Sequence, residues 1–173
     1  MRNIKELVIH CTATKPKWRD GQKTSTKVKE ITRWHVEDNG WSDIGYHYVI
    51  DRDGTLANGR PLSRIGAHVK GHNKFTIGVS LIGGFGGAAT DKFEDHFTKD
   101  QNLALRKLIK SLELQFGDLV ISGHNEYAAK GCPSFTVADW YGPQKVVVAK
   151  PKDSPSWWEV LLSLFTGGQK RDQ

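Results

Sequence analysis

His10, His124 and Cys132 are the residues of this chain best suited to do chemistry. His10 closes the apolar run Leu7-Val8-Ile9, and His124 follows a second run from Leu119 to Gly123. Cys132 lies in the tight segment Lys130-Gly131-Cys132-Pro133-Ser134. Two imidazoles and one thiolate suit zinc, and three protein ligands leave the fourth tetrahedral position open to water, as in a hydrolytic site. Taken singly, a histidine at a strand end is more often a packing or surface residue, and seven histidines in 173 residues make coincidence easy. What favours the trio is placement, because both histidines leave apolar strands at the ends where loops build sites.

The neighbours of the trio have two readings each. Lys130 and Cys132 are two apart and face the same side of an extended stretch. A cation there holds a developing oxyanion beside a zinc thiolate; the alternative is a solvated loop lysine. Glu126 is either a proton acceptor that braces the site or a capping carboxylate. Tyr46, after Gly45, is either a phenol that donates to substrate oxygen or a half-buried strand aromatic. His68 and His72 lie in a Gly-rich loop and could line a cleft, whereas His35 and His47 read as packing or surface residues and His96 as solvated. Cys11 follows His10, so it points to the opposite face of the strand and reads as a small buried apolar residue. A Cys11–Cys132 disulfide is possible on paper but would consume the thiolate.

The elements that must position these residues follow from periodicity. Ile4 to Cys11 reads as a first strand, followed by a polar loop from Thr12 to Ser25. Val28, Ile31, Trp34 and His35 recur at helical spacing, which predicts a helix over Thr26 to Asn39, stopped by Gly40. Tyr46 to Asp51 alternates as a strand; Asp51-Arg52-Asp53-Gly54 is a turn, and Thr55-Leu56-Ala57 begins its hairpin partner. Ile77 to Ile82 is an apolar strand of the buried type. Thr98 and Gln101 fit a capping box, opening a helix that turns Leu105, Leu108, Ile109, Leu112 and Phe116 inward until Gly117. Asp118 to Ser122 is a last strand, and Val137 to Tyr141 a short last helix. Strands alternating with helices predict an α/β domain, one central β-sheet with helices packed on it.

Hydrophobic residues make up 38% and charged residues 25%, enough apolar material for one sizeable core. The net charge of +6 favours an anionic partner. The positive residues are scattered, with no block resembling a nucleic-acid arm, so nucleic acid is not expected. Two cysteines make no disulfide framework. The segment from Met1 to Leu7 lacks a long apolar stretch and does not read as a signal peptide, and nothing is apolar for long enough to span a bilayer.

Five segments in order carry a resemblance. They are His10-Cys11-Thr12-Ala13-Thr14, Trp41 to Tyr48, Gly66-Ala67-His68-Val69-Lys70-Gly71-His72-Asn73, Ile77 to Gly84, and Cys132-Pro133-Ser134-Phe135. Together the chain resembles the type 2 N-acetylmuramoyl-L-alanine amidases, whose fold is shared with peptidoglycan recognition proteins. Within that group it is most similar to the short amidase endolysins of T-odd bacteriophages. The likeness runs from Ile4 to Tyr141. It implies a mixed central sheet, one zinc ion held by His10, His124 and Cys132, catalytic roles for Tyr46 and Lys130, and a substrate groove bordered by the loop holding His68 and Asn73. It implies cleavage of the bond between N-acetylmuramic acid and L-alanine in bacterial peptidoglycan. Recognition proteins lacking the cysteine ligand bind peptidoglycan without cutting it, so a pure binding module is the alternative.

A monomer is expected, and the resemblance further implies that the enzyme gathers in the host cytoplasm and reaches the wall through a separate membrane lesion, as with a holin. Phage members of the group also bind phage RNA polymerase; the short arm before the first strand argues against that role here. Residues 1–141 are expected to form the catalytic domain, residues 142–155 a linker, and residues 156–173 a helix and tail outside the resemblance. In that last segment Trp157, Trp158, Leu161, Leu162, Leu164 and Phe165 spread over a wide apolar face, with Lys170 and Arg171 following. Such a helix is too short to cross a bilayer but long enough to lie on an anionic one.

Overall fold

A computed structural model describes residues 2–142. The predicted linker beyond Gly142 and the amphipathic helix from Ser156 onward lie outside the described residues.

Five strands among the described residues form one mixed sheet: β1 (Glu6–Cys11), β2 (Tyr48–Ile50), β3 (Leu56–Asn58), β4 (Thr76–Leu81) and β5 (Val120–Gly123), in the order β3-β2-β4-β1-β5. β1 pairs in parallel with β4 and with β5, and β2 in parallel with β4; β3 runs antiparallel at the edge. The hairpin from β2 to β3 turns through Asp51 and Gly54, where the Gly54 N–H donates to the Asp51 carbonyl at 2.9 Å.

Because side chains alternate along a strand, the sheet has two unlike faces. Leu7, Ile9 and Cys11 of β1, Ile77, Val79 and Leu81 of β4, and Ile121 of β5 belong to the main core. α3 (Lys99–Phe116) buries Leu105, Leu108, Ile109 and Leu112 in that core, each contributing about 1.5–3 kcal/mol of apolar burial. The other face carries Val8 and His10 beside their register partners Gly78 and Ser80. It is covered by a smaller cluster of Ile31, Ile44, Val49 and Ile82, with Ile31 supplied by α1 (Thr24–Arg33). That second face is therefore partly polar, and it holds the chemistry.

Several elements match the periodicity and some differ. The capping box forms: Thr98 Oγ1 accepts from the Gln101 N–H, and Gln101 Oε1 accepts from the Thr98 N–H, both at 3.1 Å. Gln101 also donates to the carbonyls of Ile50 and Ile82, which pins the start of α3 to the sheet. The helix expected over Thr26 to Asn39 is instead α1 followed by a π-helical turn, Trp34–Asp38. α1 starts two residues early because Thr24 and Lys27 both bond the buried Asp51 carboxylate, at 2.8 and 2.9 Å. A short α2 (Phe93–His96), absent from the sequence reading, precedes α3, and α4 (Val137–Tyr141) falls where expected. The strand expected from Tyr46 begins at Tyr48, leaving Tyr46 in the preceding loop.

The first described residue is also an anchor. The Arg2 guanidinium donates to the carbonyls of Leu62, Arg64, Asn73, Lys74 and Thr76. This ties the Gly-rich loop of residues 66–74 to the N-terminal edge of the sheet.

Candidate active site

His10 is the penultimate residue of β1 and His124 follows directly on β5, the adjacent parallel strand. Their rings lie with centroids 4.6 Å apart. The loop after β5 returns Cys132 to the end of β1, where its sulfur accepts from the Cys11 N–H at 3.3 Å and sits 3.9 Å from His10 Nδ1. One donor atom from each of His10, His124 and Cys132 lies within 4.8 Å of the others. Tetrahedral zinc with Zn–N of about 2.0 Å and Zn–S of about 2.3 Å separates nitrogen from sulfur by ~3.6 Å, close to the spacing found. The donor set therefore fits a single metal ion with small adjustment.

The electrostatics suit ligation. Burial holds His10 well below the usual imidazole range, helped by neighbouring His68, His124 and Lys130. Burial and Lys130 lower His124 as well. Both are thus neutral at neutral pH, the form that binds metal. Protein groups alone hold the Cys132 thiol up, through its contact with the Cys11 thiol and through burial; a bound cation would reverse that balance and favour the thiolate. Cys11 is buried and free, facing the core as its position in the strand requires.

Beside these residues opens a cleft of about 540 Å³ lined by Trp41, Tyr46, Ala67, His68, Val69, Lys70, Asn73, His124, Tyr127, Ala128 and Lys130. Another hollow of about 400 Å³, between the Asp53–Gly54 turn and α3, holds none of the candidate residues. Tyr46 lies against His10, ring centroids 5.1 Å apart. Burial raises its phenol above the usual range, so it stays protonated and able to donate. Lys130 is exposed on the cleft wall.

His68 and Asn73 both line the cleft, but their polar atoms are engaged inside the protein. His68 is buried, with Nδ1 at 3.1 Å from His10 Nε2 and Nε2 at 3.3 Å from Thr76 Oγ1. Its pKa is pushed down to about 3, chiefly by burial. Asn73 Oδ1 accepts from the backbone N–H groups of His68 and Val69, both at 2.9 Å, and so shapes the loop. Glu126 accepts from the Gly123 N–H at 2.6 Å. It is the capping carboxylate of its two readings, spent on the turn that carries His124. His96 is not solvated: it is partly buried and bonded to Asp91 at 2.8 Å. His35 and His47 are buried.

Two residues bear on the site in ways the sequence did not show. His35 Nδ1 accepts from the Gly45 N–H at 3.0 Å, and its ring packs on Trp41 and edge-on to Tyr46. The π-helical turn thus sets the loop that presents the phenol, and such turns recur at functional sites. The Ser80 hydroxyl is buried near Tyr46, close enough to favour the ionised phenol slightly yet without a well-aligned partner among the described residues. Its signal was the alternation Gly78, Ser80 within an otherwise apolar strand.

This mixed sheet with helices packed on it is the fold of solved amidases and peptidoglycan recognition proteins. The N-acetylmuramoyl-L-alanine amidase family model matches residues 1–135. The endolysin of Escherichia phage T7 is 40% identical over 143 residues, covering 83% of this chain and 89% of that protein. The endolysin of Klebsiella phage KP32 is 40% identical over 144 residues with the same coverage. Among solved structures, the amidase LysC of Clostridium intestinale superposes with a TM-score of 0.63 at 26% identity, over 80% of this chain and 83% of that one. The chain belongs to the N-acetylmuramoyl-L-alanine amidase family. It is a peptidoglycan hydrolase of the endolysin kind, cutting the amide bond between N-acetylmuramic acid and L-alanine and so lysing bacterial cells.

Proposed function

We propose that the chain works as a zinc amidase in which His10, His124 and Cys132 hold one ion while Tyr46 and Lys130 act on the substrate. The observation that carries this reading is the convergence of the three donor atoms beside a cleft of a size to admit a sugar–peptide junction. Zinc, when bound, supplies a nucleophilic hydroxide near neutral pH and polarises the scissile carbonyl. The Tyr46 phenol, kept protonated by its surroundings, donates to the carbonyl oxygen as negative charge grows there. Lys130 adds a positive charge on the same wall. The leaving L-alanine amine takes up the proton that the attacking water gives up, directly or through the Tyr46 hydroxyl, as the carbon–nitrogen bond breaks. The loop with His68 and Asn73 borders the groove that receives the glycan and stem peptide of bacterial peptidoglycan.

The test uses purified protein and isolated peptidoglycan, with and without a zinc chelator. New L-alanine amino termini without new reducing sugar ends, abolished by chelation and restored by zinc, are expected. Cys132→Ala should lose zinc and cleavage while still binding the wall. Cleavage by that variant would sink the ligand assignment.

We further propose that residues 1–141 are the catalytic unit, joined by residues 142–155 to an amphipathic segment, residues 156–173, that lies on anionic membrane. The support is the wide apolar face of Trp157 to Phe165 beside Lys170 and Arg171. Deleting residues 154–173 should leave activity on purified wall unchanged and weaken killing from outside; equal killing by both forms discards the idea. Among the described residues no helix is long and apolar enough to cross a membrane. Retention in the host cytoplasm until a membrane lesion opens a path to the wall belongs to the same reading.

A further inference from the structure

We propose that His68 is a positioning residue for the metal site: it fixes which nitrogen of His10 faces the metal, as the inner link of a one-way hydrogen-bond chain that starts at the His72 carbonyl. The proposal rests on the zinc reading above and deepens it.

The direction of the chain follows link by link. A carbonyl oxygen can only accept, so the Thr76 hydroxyl spends its proton on the His72 carbonyl at 3.0 Å. Thr76 Oγ1 is then an acceptor toward His68 Nε2 at 3.3 Å, which must carry the ring proton. A neutral imidazole with its proton on Nε2 presents a bare lone pair at Nδ1. His10 Nε2, 3.1 Å from that lone pair, must therefore be the donor. What remains on His10 is an unprotonated Nδ1, the nitrogen that lies 3.9 Å from the Cys132 sulfur. The tautomer required for ligation through Nδ1 is thus set by groups already present in the fold. Ligating histidines generally donate their second N–H in this way, which orients the ring and raises its basicity.

The fold also makes room for this one ring. A Cβ built on Gly78 would meet His68 Cγ and Cδ2 at 2.6 Å and Nδ1 at 2.9 Å, and one built on Gly66 would meet Cδ2 at 2.6 Å. Two glycines therefore form the slot, one of them in the middle of a fully buried strand where glycine is otherwise unfavourable. Asn73 holds the His68 backbone from the other side. A residue needed only for its surface in a groove does not call for a slot, a backbone clamp and a directed hydrogen-bond chain together.

The experiment compares the full chain with His68→Leu, which fills the slot without an acceptor, and His68→Asn, whose Oδ1 can stand in for Nδ1. Zinc affinity is measured by competition with a chromogenic chelator, with far-UV circular dichroism to confirm folding. We expect His68→Leu to bind zinc about 10–100-fold more weakly, the usual loss for such a partner, and His68→Asn to stay within about threefold of the parent, well short of that loss. Long-range proton–nitrogen spectra of the zinc-loaded parent should show His10 and His68 both protonated at Nε2. His10 protonated at Nδ1 overturns the proposal, as does His68→Leu with parental zinc affinity, or equal weakening in both variants. If His68→Leu fails to fold, His68→Asn and the spectra still decide. A parent protein that takes up no zinc overturns the metal reading itself, and this proposal with it.

Discussion

Gly78→Ala tests the slot from the strand side, without touching any candidate ligand. The added methyl falls 2.6 Å from His68 Cγ and Cδ2, whereas carbon atoms sit at about 3.5–4.0 Å when unstrained. The ring must retreat by roughly 1 Å to restore ordinary contact. A shift of that size is enough to carry the 3.1 Å link to His10 beyond hydrogen-bonding range. Overpacking of a tight interior costs about 1–3 kcal/mol, and a buried donor left without its acceptor costs about 1–3 kcal/mol more. Replacing glycine in a strand returns at most about 1 kcal/mol. The net loss is then about 1–5 kcal/mol, which for a chain of this size lowers Tm by roughly 2–20 °C. Thermal unfolding at fixed zinc is the assay, with zinc affinity as a second reading that should fall in parallel. Adding His68→Ala to Gly78→Ala should recover part of the lost stability, because the clash disappears with the ring; the coupling is read as a double-mutant cycle. Gly78→Ala with unchanged Tm and unchanged zinc affinity would refute the reasoning, as would strict additivity of the two substitutions.

Tyr46→Phe and Lys130→Ala should each lower kcat by about 10²–10³ with zinc content intact, as removal of one oxyanion donor generally does; single-turnover cleavage of a defined muramyl peptide checks this, and a change confined to KM would remove both from the chemistry. Stability should fall on acidification through His47, whose pKa is pushed down to about 4, first by burial. Its stabilisation is present above ~6.5, where both states are neutral, and is lost as the unfolded chain takes up a proton between ~6.5 and about 4, a change of ~3 kcal/mol. Urea denaturation in the presence of chelator, across that pH range, should show a slope that flattens in His47→Gln; an equal slope in the variant would assign the effect elsewhere.

The strands and the long helix were legible because their signals are local. The capping box, the inward face of α3 and the opposite facing of His10 and Cys11 all come from spacing within a few residues. The candidate metal trio was legible only as a possibility, since nothing local says that residue 132 returns to residue 10. Glu126 was ambiguous for the same reason: a carboxylate two residues after a ligand caps or catalyses according to where the chain bends. The π-helical turn went unread because one extra residue in a turn leaves the apolar spacing almost unchanged, and its effect is felt at Tyr46, in another element. His68 was placed at the groove by its glycine-rich loop, but its bond to His10 spans 58 positions and exists only in the assembled sheet. Gly78 and Ser80 were the overlooked clue. Two small side chains on one face of an otherwise bulky strand mean that something else fills that space.

The strand that opens the chain lies inside the sheet, flanked by partners some 70 and 115 positions later in register: Glu6 faces Thr76 on one side and Val120 on the other. Such pairing is slow to close because its contacts are so far apart along the chain. On the ribosome, β1 has no permanent neighbour until β4 emerges and no complete environment until β5 does. The donor atoms obey the same schedule, since one is made near the start and two near the end of the described domain. On the zinc reading, a translation product interrupted before Cys132 lacks one of the three donors, and a bacterium making this wall-cutting enzyme carries only inert fragments up to that point.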